Sequence, residues 1–213
     1  GETGCGKSSR VPAMILRAPP PDPSFSDVKL FISQPRRIAA KSLVERVRSC
    51  EPDLKDSIAL RMGHGVREYE SHRTRAWFVT TGYLVRLLAN HPEKFDDVTH
   101  LIIDEVHERS VDTDILCLLC KRLLQSNSRI RLILMSATLA ASLYQQYFRV
   151  PQPPLKVGAR RFPIQEYYIE DLIDKFALPT KQKAAAVAVK KFCESSRCGS
   201  APPRNYMEQL YVL

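Results

Sequence analysis

The sequence contains no long apolar run and no leader-like segment. No stretch approaches the roughly 20 apolar residues that a membrane span requires, and the first residues do not include the apolar core of a signal peptide. Internal repeats are also absent. From these absences we expect an intracellular protein, cytoplasmic or nuclear, that does not associate with membranes.

Cysteine patterns typical of a metal site are missing too. Cys117 and Cys120 form a C-x-x-C pair, but the pair falls in a helical-looking run, and no second Cys or His pair follows at zinc spacing. We therefore predict buried, reduced helix thiols rather than a zinc site. The six cysteines are Cys5, Cys50, Cys117, Cys120, Cys193 and Cys198.

Acidic residues are in the minority. The 213 residues include 32 Lys and Arg against 23 Asp and Glu, which gives a net charge of +9, and 44% of the residues are hydrophobic. The hydrophobic content is enough for one domain with its own core. The basic excess favours a polyanionic partner, with nucleic acid ahead of an anionic membrane surface.

Strand-like and helix-like segments alternate from residue 7 to residue 148. The best strand candidates are continuous apolar runs, a pattern typical of a parallel sheet covered by helices on both faces. The helix after the first strand is predicted to bury Ile38, Leu43 and Val47. Beyond residue 148 we predict one β-like stretch and one further helix. The predicted helices are 7–17, 35–49, 82–90, 111–125 and 139–148, and the predicted strands are 28–33, 57–62, 76–80, 99–104 and 130–136.

The first eight residues, GETGCGKS, match the phosphate-loop pattern G-x-x-x-x-G-K-[ST]. Glycines in such a loop let backbone N–H groups point at a phosphate at the start of a helix. Lys7 can reach the β- and γ-phosphates, and Ser8 can coordinate Mg²⁺. A strand normally precedes this loop, so we expect the sequence to be a piece of a longer chain. The predicted nucleotide-binding residues are Gly1, Glu2, Thr3, Gly4, Cys5, Gly6, Lys7, Ser8 and Ser9.

A second candidate site is LIIDEVHER, where an apolar strand ends in Asp104 and Glu105. Ligands of open α/β folds bind at this edge of the sheet. We predict that Asp104 holds Mg²⁺ and that Glu105 orients and deprotonates an attacking water, with Lys7 completing the catalytic set. On this stretch alone, the acids could instead cap the next helix.

Five motifs, GETGCGKS, SQPRR, TTG, DEVHER and SAT, occur in one order. Together they resemble the first RecA-like lobe of the DEAH/RHA family of superfamily 2 RNA helicases. The resemblance implies a RecA-like P-loop NTPase fold, an α/β three-layer sandwich with a mostly parallel sheet. It implies a helicase ATP-binding domain over residues 1–170 that lacks its first strand. Residues 171–213 would then lead to a second RecA-like lobe.

The resemblance also implies function: hydrolysis of Mg·ATP that drives movement along single-stranded RNA or its unwinding. Further partners would be ribonucleoproteins or helicase activators. The implied RNA-backbone residues are Arg36, Arg37, Thr80, Thr81 and Gly82, and the implied coupling residues are His107, Ser136 and Thr138. Read without the resemblance, Arg36 and Arg37 could be a solvated helix end, and the residues 136–138 could be a plain N-cap.

The sequence departs from the family pattern in three places. Its second motif reads DEVH rather than DEAH, a swap of small apolar residues that keeps both carboxylates. Its phosphate loop has Cys5 and a Ser8-Ser9 pair where relatives often have Ser and two Thr. Nothing matches Q-x-x-G-R-x-G-R, the pattern that supplies arginine fingers from the second lobe.

Two other functions remain open from the sequence. One is a P-loop ATPase that does no nucleic-acid work, such as a transporter or kinase lobe. The other is a catalytically silent module that binds nucleotide and RNA, or a scaffold. RNA-stimulated turnover, and an RNA affinity that depends on Arg36 and Arg37, would separate these from a helicase.

Overall fold

A computed structural model describes residues 5–137 and 141–156, together with Val187. Five α-helices lie in this part of the chain: α1 (Lys7–Arg17), α2 (Arg37–Cys50), α3 (Thr81–Asn90), α4 (Val111–Ser126) and α5 (Ala141–Phe148). The strands there are β1 (Leu30–Gln34), β2 (Ile58–Arg61), β3 (Arg67–Glu68), β4 (Ala76–Thr80), β5 (His100–Ile103) and β6 (Arg131–Leu134). Short 3₁₀ helices occupy Pro52–Ser57, Pro92–Phe95 and Val106–Glu108.

The six strands form one sheet in the order β3-β2-β4-β1-β5-β6. Every neighbouring pair is parallel except β2 with β3, which is antiparallel. Helical crossovers between parallel strands place helices on the sheet faces. The predicted fold class, a mostly parallel sheet within an α/β sandwich, is confirmed.

The two faces of the sheet have separate cores. Leu30 and Ile32 of β1 pack with Leu16 of α1 and Val44 of α2 on one face. Phe31 of β1 points to the other face, where α3 and α4 contribute their buried side chains. Side chains alternate along a strand, so a continuous apolar run supplies both cores at once.

Helix α2 buries a different stripe from the predicted one. The buried residues are Ala40, Val44 and Val47, while Ile38 is 82% exposed. Positions 40, 44 and 47 follow the helical spacing of four and three, whereas position 38 lies about 200° around the helix from position 40. The prediction for Ile38 was wrong because it rested on the apolar character of the side chain, whereas helical spacing places this position away from the buried stripe. Val47 was right, and Leu43 packs at the margin of the core.

The strand β3 was missed, because its two residues, Arg67 and Glu68, carry no apolar signal. The last strand, β6, is less buried than its parallel neighbours, and its apolar residues are only partly covered. Within the described sheet β6 is an edge strand, which accounts for its exposure.

The chain divides into two units, Gly1–Arg160 and Arg161–Leu213. Apart from Val187, the predicted β-like stretch and helix after residue 156 lie outside the described residues, and the domain boundary at 170 stays a prediction. In the part of the chain that the structure describes, no helix combines the length and apolar character needed to cross a bilayer.

Candidate active site

The predicted site residues meet at the carboxyl edge of the sheet. In the register of the parallel strands Gln34 lies beside Thr80, and Ser33 lies beside Ile103, which in turn lies beside Leu134. The residues that follow these strand ends therefore share one edge. This is the edge at which open α/β folds bind their ligands.

The phosphate-loop candidate leads directly into α1. Gly6 has φ +85°, a left-handed conformation that disfavours side chains with a Cβ, and its carbonyl accepts hydrogen bonds from the N–H groups of Ser9 and Arg10 at 3.2 and 2.8 Å. Lys7 Nζ lies 3.7 Å from Cys5 Sγ. Of the nine predicted loop residues, Gly1, Glu2, Thr3 and Gly4 lie outside the described part.

A cavity of about 380 Å³ opens beside the loop. It lies between the start of α1, the end of β1 and the turn after β5, so it brings residues of three predicted motifs to one space. Its lining includes Gly6, Lys7, Ser8, Ser9, Gln34, Arg36, Glu105 and Glu108.

Asp104 is only 2% exposed and its carboxylate is held on both oxygens. Gln34 Nε2 donates to Oδ2 at 2.6 Å, and the Glu105 N–H donates to Oδ1 at 2.9 Å. A carboxylate oxygen can accept more than one bond, so lone pairs remain for a metal or its water. Oxygen donors such as Asp104 and Ser8 suit Mg²⁺, which usually takes one or two carboxylates with substrate phosphates and water.

Glu105 sits in a strained turn directly after Asp104. Its φ is +53°, and Arg109, at the other end of the 3₁₀ turn, has φ +50°. Burial, and then the negative charge of Asp104, raise the pKa of the Glu105 carboxyl. His107 Nδ1 lies 3.3 Å from Glu105 Oε2. That contact has ion-pair distance but lacks hydrogen-bond geometry, and Nδ1 has no other partner among the described residues.

Val106 lies between Glu105 and His107 in the chain, and it anchors the turn to the rest of the domain. Its N–H donates to the carbonyl of Met135 at 3.1 Å, and its carbonyl accepts the hydroxyl of Tyr144 at 2.6 Å. Met135 immediately precedes Ser136, so the DEVH turn contacts the residue just before the predicted SAT motif. Thr138, the last residue of that motif, lies outside the described part.

Arg36 and Arg37 stand at the start of α2, as predicted, but their side chains diverge. Arg36 Nη2 lies 3.2 Å from Glu108 Oε1, beside the loop cavity. Arg37 Nη1 is 3.5 Å from the carbonyl of Gly63. In this arrangement the two guanidinium groups contact different neighbours and do not converge on one point.

Thr80, Thr81 and Gly82 occupy the junction of β4 and α3. Thr80 is the N-cap residue, although its side chain makes no capping bond. Thr81 is 3% exposed, so its side chain lies in the core. At Gly82 an added Cβ would lie 2.8 Å from Asp112 Oδ2, so only glycine fits there unless Asp112 moves.

A second cavity, of about 340 Å³, lies between residues 62–67 and α3 and includes Arg67 and Arg86 in its lining. Within the described residues neither arginine has a carboxylate within ion-pair distance. Sequence reasoning missed both, because a single arginine in a polar loop or on a helix has no signal of its own. The proximity of Arg86 to Gly63, which Arg37 contacts, appears only in three dimensions.

The C-x-x-C pair lies inside α4, and both thiols are buried. Burial raises the pKa of Cys117 to about 11 and that of Cys120 further. Among the residues that the structure describes, no group of three or more His, Cys, Asp or Glu side chains could hold a metal ion by itself. The prediction of buried helix thiols at this pair is confirmed.

Comparison with known proteins identifies a helicase family. The family model described as DEAD/DEAH box helicase matches residues 1–146. The chain is 36% identical over 177 residues to the DExH-box ATP-dependent RNA helicase DExH1 of Arabidopsis thaliana, covering 82% of this chain and 17% of that protein. It is 38% identical over 178 residues to the human ATP-dependent RNA helicase DHX30, covering 82% of this chain and 14% of that one.

A solved helicase structure also resembles this chain. The crystal structure of the Escherichia coli DEAH/RHA helicase HrpB is similar with a TM-score of 0.65 and 31% identity, covering 78% of this chain and 20% of that chain. The chain thus spans less than a fifth of the two relatives named above. The order of motifs, their meeting at one sheet edge and these matches agree, and the chain belongs to the DEAD/DEAH box helicase family.

Proposed function

We propose that this chain is the ATP-binding part of an ATP-dependent RNA helicase. In the longer protein, ATP hydrolysis at this site would drive movement along single-stranded RNA or its unwinding. The observation that carries the proposal is the cavity of about 380 Å³ lined by both the phosphate loop and Glu105. The names of the relatives, ATP-dependent RNA helicases, supply the substrate class.

The nucleotide half of the proposal assigns roles to four side chains. Lys7, at the first turn of α1, reaches the β- and γ-phosphates of ATP, and the N–H groups of that turn face the same phosphates. Ser8 and Asp104 hold Mg²⁺, which neutralises phosphate charge when bound. Glu105 takes the proton of the attacking water, and its raised pKa brings it closer to the working pH of a general base.

The RNA half places the phosphate backbone across the starts of α2 and α3. Arg36, Arg37, Thr80 and Gly82 lie at the same sheet edge as the nucleotide cavity, with Thr81 contributing its main chain. Arg67 and Arg86 widen this surface beyond Arg37. Contacts with phosphates set position and affinity without reading sequence.

Turnover in this proposal depends on more than these residues. His107, Ser136 and Thr138 couple ATP hydrolysis to strand separation, and a second RecA-like lobe supplies arginines to the γ-phosphate. Where arginine fingers have been measured, they raise rates by about 10³ to 10⁵. We therefore expect weak hydrolysis from this chain alone, together with measurable binding of Mg·ADP and RNA.

The test measures nucleotide and RNA binding together with hydrolysis. Fluorescent mant-ADP reports nucleotide affinity, anisotropy of labelled single-stranded RNA reports RNA affinity, and steady-state ATP hydrolysis is compared with a Glu105→Gln blank. Removal of Arg36 and Arg37 by alanine substitution is compared with Arg122→Ala, which removes an exposed charge near the far end of α4.

Two phosphate contacts to a single strand give a salt slope of about −1.4, so RNA affinity should fall about 7-fold for a fourfold rise in salt. The variant without Arg36 and Arg37 should lose the part of the salt slope that these two contacts contribute. Arg122→Ala should keep the slope of the wild type. An RNA affinity that neither the arginines nor salt affects would refute the RNA half. Absence of mant-ADP binding would refute the nucleotide half. Binding of both ligands by a longer protein with no RNA-stimulated hydrolysis would favour the silent binding module.

A further inference from the structure

We propose that Gln34 is a positioning residue that fixes the Asp104 carboxylate for Mg²⁺ and joins it to the arginine-bearing start of α2. This inference rests on the proposed function, because it gives Asp104 its role as a metal ligand. It assigns a role to a buried side chain at the end of β1.

The contact between the two side chains is buried. Gln34 is the last residue of β1 and is 2% exposed, and its Nε2 donates to Asp104 Oδ2 at 2.6 Å. A hydrogen bond to an ionised group is stronger than one between neutral groups, and water does not compete for this one. Together with the Glu105 N–H on Oδ1, it fixes both the direction and the plane of the carboxylate.

The chemistry of the amide suits this role. A glutamine donates a hydrogen bond to the carboxylate without neutralising its charge, so Asp104 keeps the full negative charge that attracts a divalent cation. A lysine or arginine at this position would compensate the charge and compete with the metal. Partners that orient a metal ligand typically contribute about 10- to 100-fold in metal affinity.

Gln34 also connects two motifs through the backbone. Pro35 separates it from Arg36, which pairs with Glu108 on the far side of the 3₁₀ turn that follows Asp104. Gln34 and Arg36 therefore contact the DEVHER segment at two points, Asp104 and Glu108. A phosphate that draws Arg36 or Arg37 toward RNA moves the residues next to Gln34, and with them the carboxylate.

The experiment compares mant-ADP affinity in Mg²⁺ with the affinity in EDTA for wild type, Gln34→Met and Ser33→Ala. Methionine has a similar length but cannot donate a hydrogen bond. Ser33 is the matched control, because its Oγ is equally buried on the same strand and has no hydrogen-bond partner among the described residues. Gln34→Asn, shorter by one methylene, serves if the methionine variant does not fold.

We expect Gln34→Met to lose about 10-fold or more of the affinity gained from Mg²⁺ while its EDTA affinity matches wild type. Ser33→Ala should keep the whole gain. An equal loss in Mg²⁺ and in EDTA would mean a purely structural role and would overturn the inference, as would an unchanged Mg²⁺ gain. If wild type gains no affinity from Mg²⁺, the metal part of the proposed function is wrong, and the inference falls with it.

The link to α2 has its own readout. Single-stranded RNA should change the Mg·mant-ADP affinity of wild type, and this effect should shrink in Gln34→Met, because coupling between two sites appears in the affinity of either ligand. An RNA effect of equal size in both proteins would overturn the link.

Discussion

The hydrogen bond from Tyr144 to Val106 should be worth a measurable part of the stability of this domain. It anchors a turn whose two flanking residues, Glu105 and Arg109, have φ values of +53° and +50°. Left-handed conformations of non-glycine residues cost about 1–3 kcal/mol each, so such a turn persists only when its surroundings hold it. Replacing Tyr144 by phenylalanine removes one of the two hydrogen bonds that the Val106 carbonyl accepts, the other coming from the Arg109 N–H at 3.4 Å, and leaves the packed ring in place.

The expected cost follows from the burial of both partners. The hydroxyl donates to the Val106 carbonyl at 2.6 Å in a buried position, and burial raises the pKa of Tyr144, so the proton stays on the oxygen at neutral pH. Because the Arg109 N–H still donates to that carbonyl at 3.4 Å, the variant loses one hydrogen bond, which is worth about 0.5–1.5 kcal/mol. For a chain of this size, 1 kcal/mol corresponds to a Tm shift of about 2–4 °C. We expect Tyr144→Phe to lower the Tm by about 2–4 °C.

Tyr147 provides the matched control on the same helix. Its ring lies 4.2 Å from Lys121 Nζ, and its side-chain hydroxyl has no partner among the described residues. Tyr147→Phe makes the same chemical change and should shift the Tm by less than about 1 °C, as is usual for surface substitutions. Thermal and urea denaturation followed by circular dichroism would compare the two. Equal shifts for both variants would refute the reasoning.

Three further outcomes follow from the site and the core. Because burial and the neighbouring carboxylate hold the pKa of Glu105 above its unfolded value, ionisation of Glu105 disfavours folding progressively as the pH rises from the unfolded pKa through the folded one. Glu105→Gln should therefore raise the Tm at pH 7.5, with a gain that shrinks toward pH 4; a gain that grows on acidification would contradict the sign. Gly6→Ala places a Cβ on a residue with φ +85°, and a titration with mant-ADP should show weaker binding; unchanged affinity would show that the loop tolerates the strain. Iodoacetamide at pH 8 should label the exposed Cys50 in the native chain well before Cys117 and Cys120, as peptide mass spectrometry would show, and similar rates would mean that α4 opens readily.

Much of the fold was predictable because its signals are local. Helix α1 and strand β4 begin and end where the sequence predicts, since a glycine-rich loop marks the start of one and a five-residue β-favouring run forms the other. The parallel sheet followed from continuous apolar strands between helices. Ile38 shows the limit, because only helical spacing around the buried stripe decides which apolar side chain faces the sheet.

By itself the sequence determined the family, the order of motifs and the chemical type of each candidate residue, because these depend on residue identity and on spacing along the chain. Only the tertiary structure decided that Gln34 contacts Asp104, that Arg36 and Arg37 point to different neighbours, and that Tyr144 supports the DEVH turn. These contacts join residues 26 to 72 positions apart along the chain. The hydrophobic pattern of a segment sets which side of it is buried, whereas the register of the sheet and the packing of helices set which distant side chain it meets.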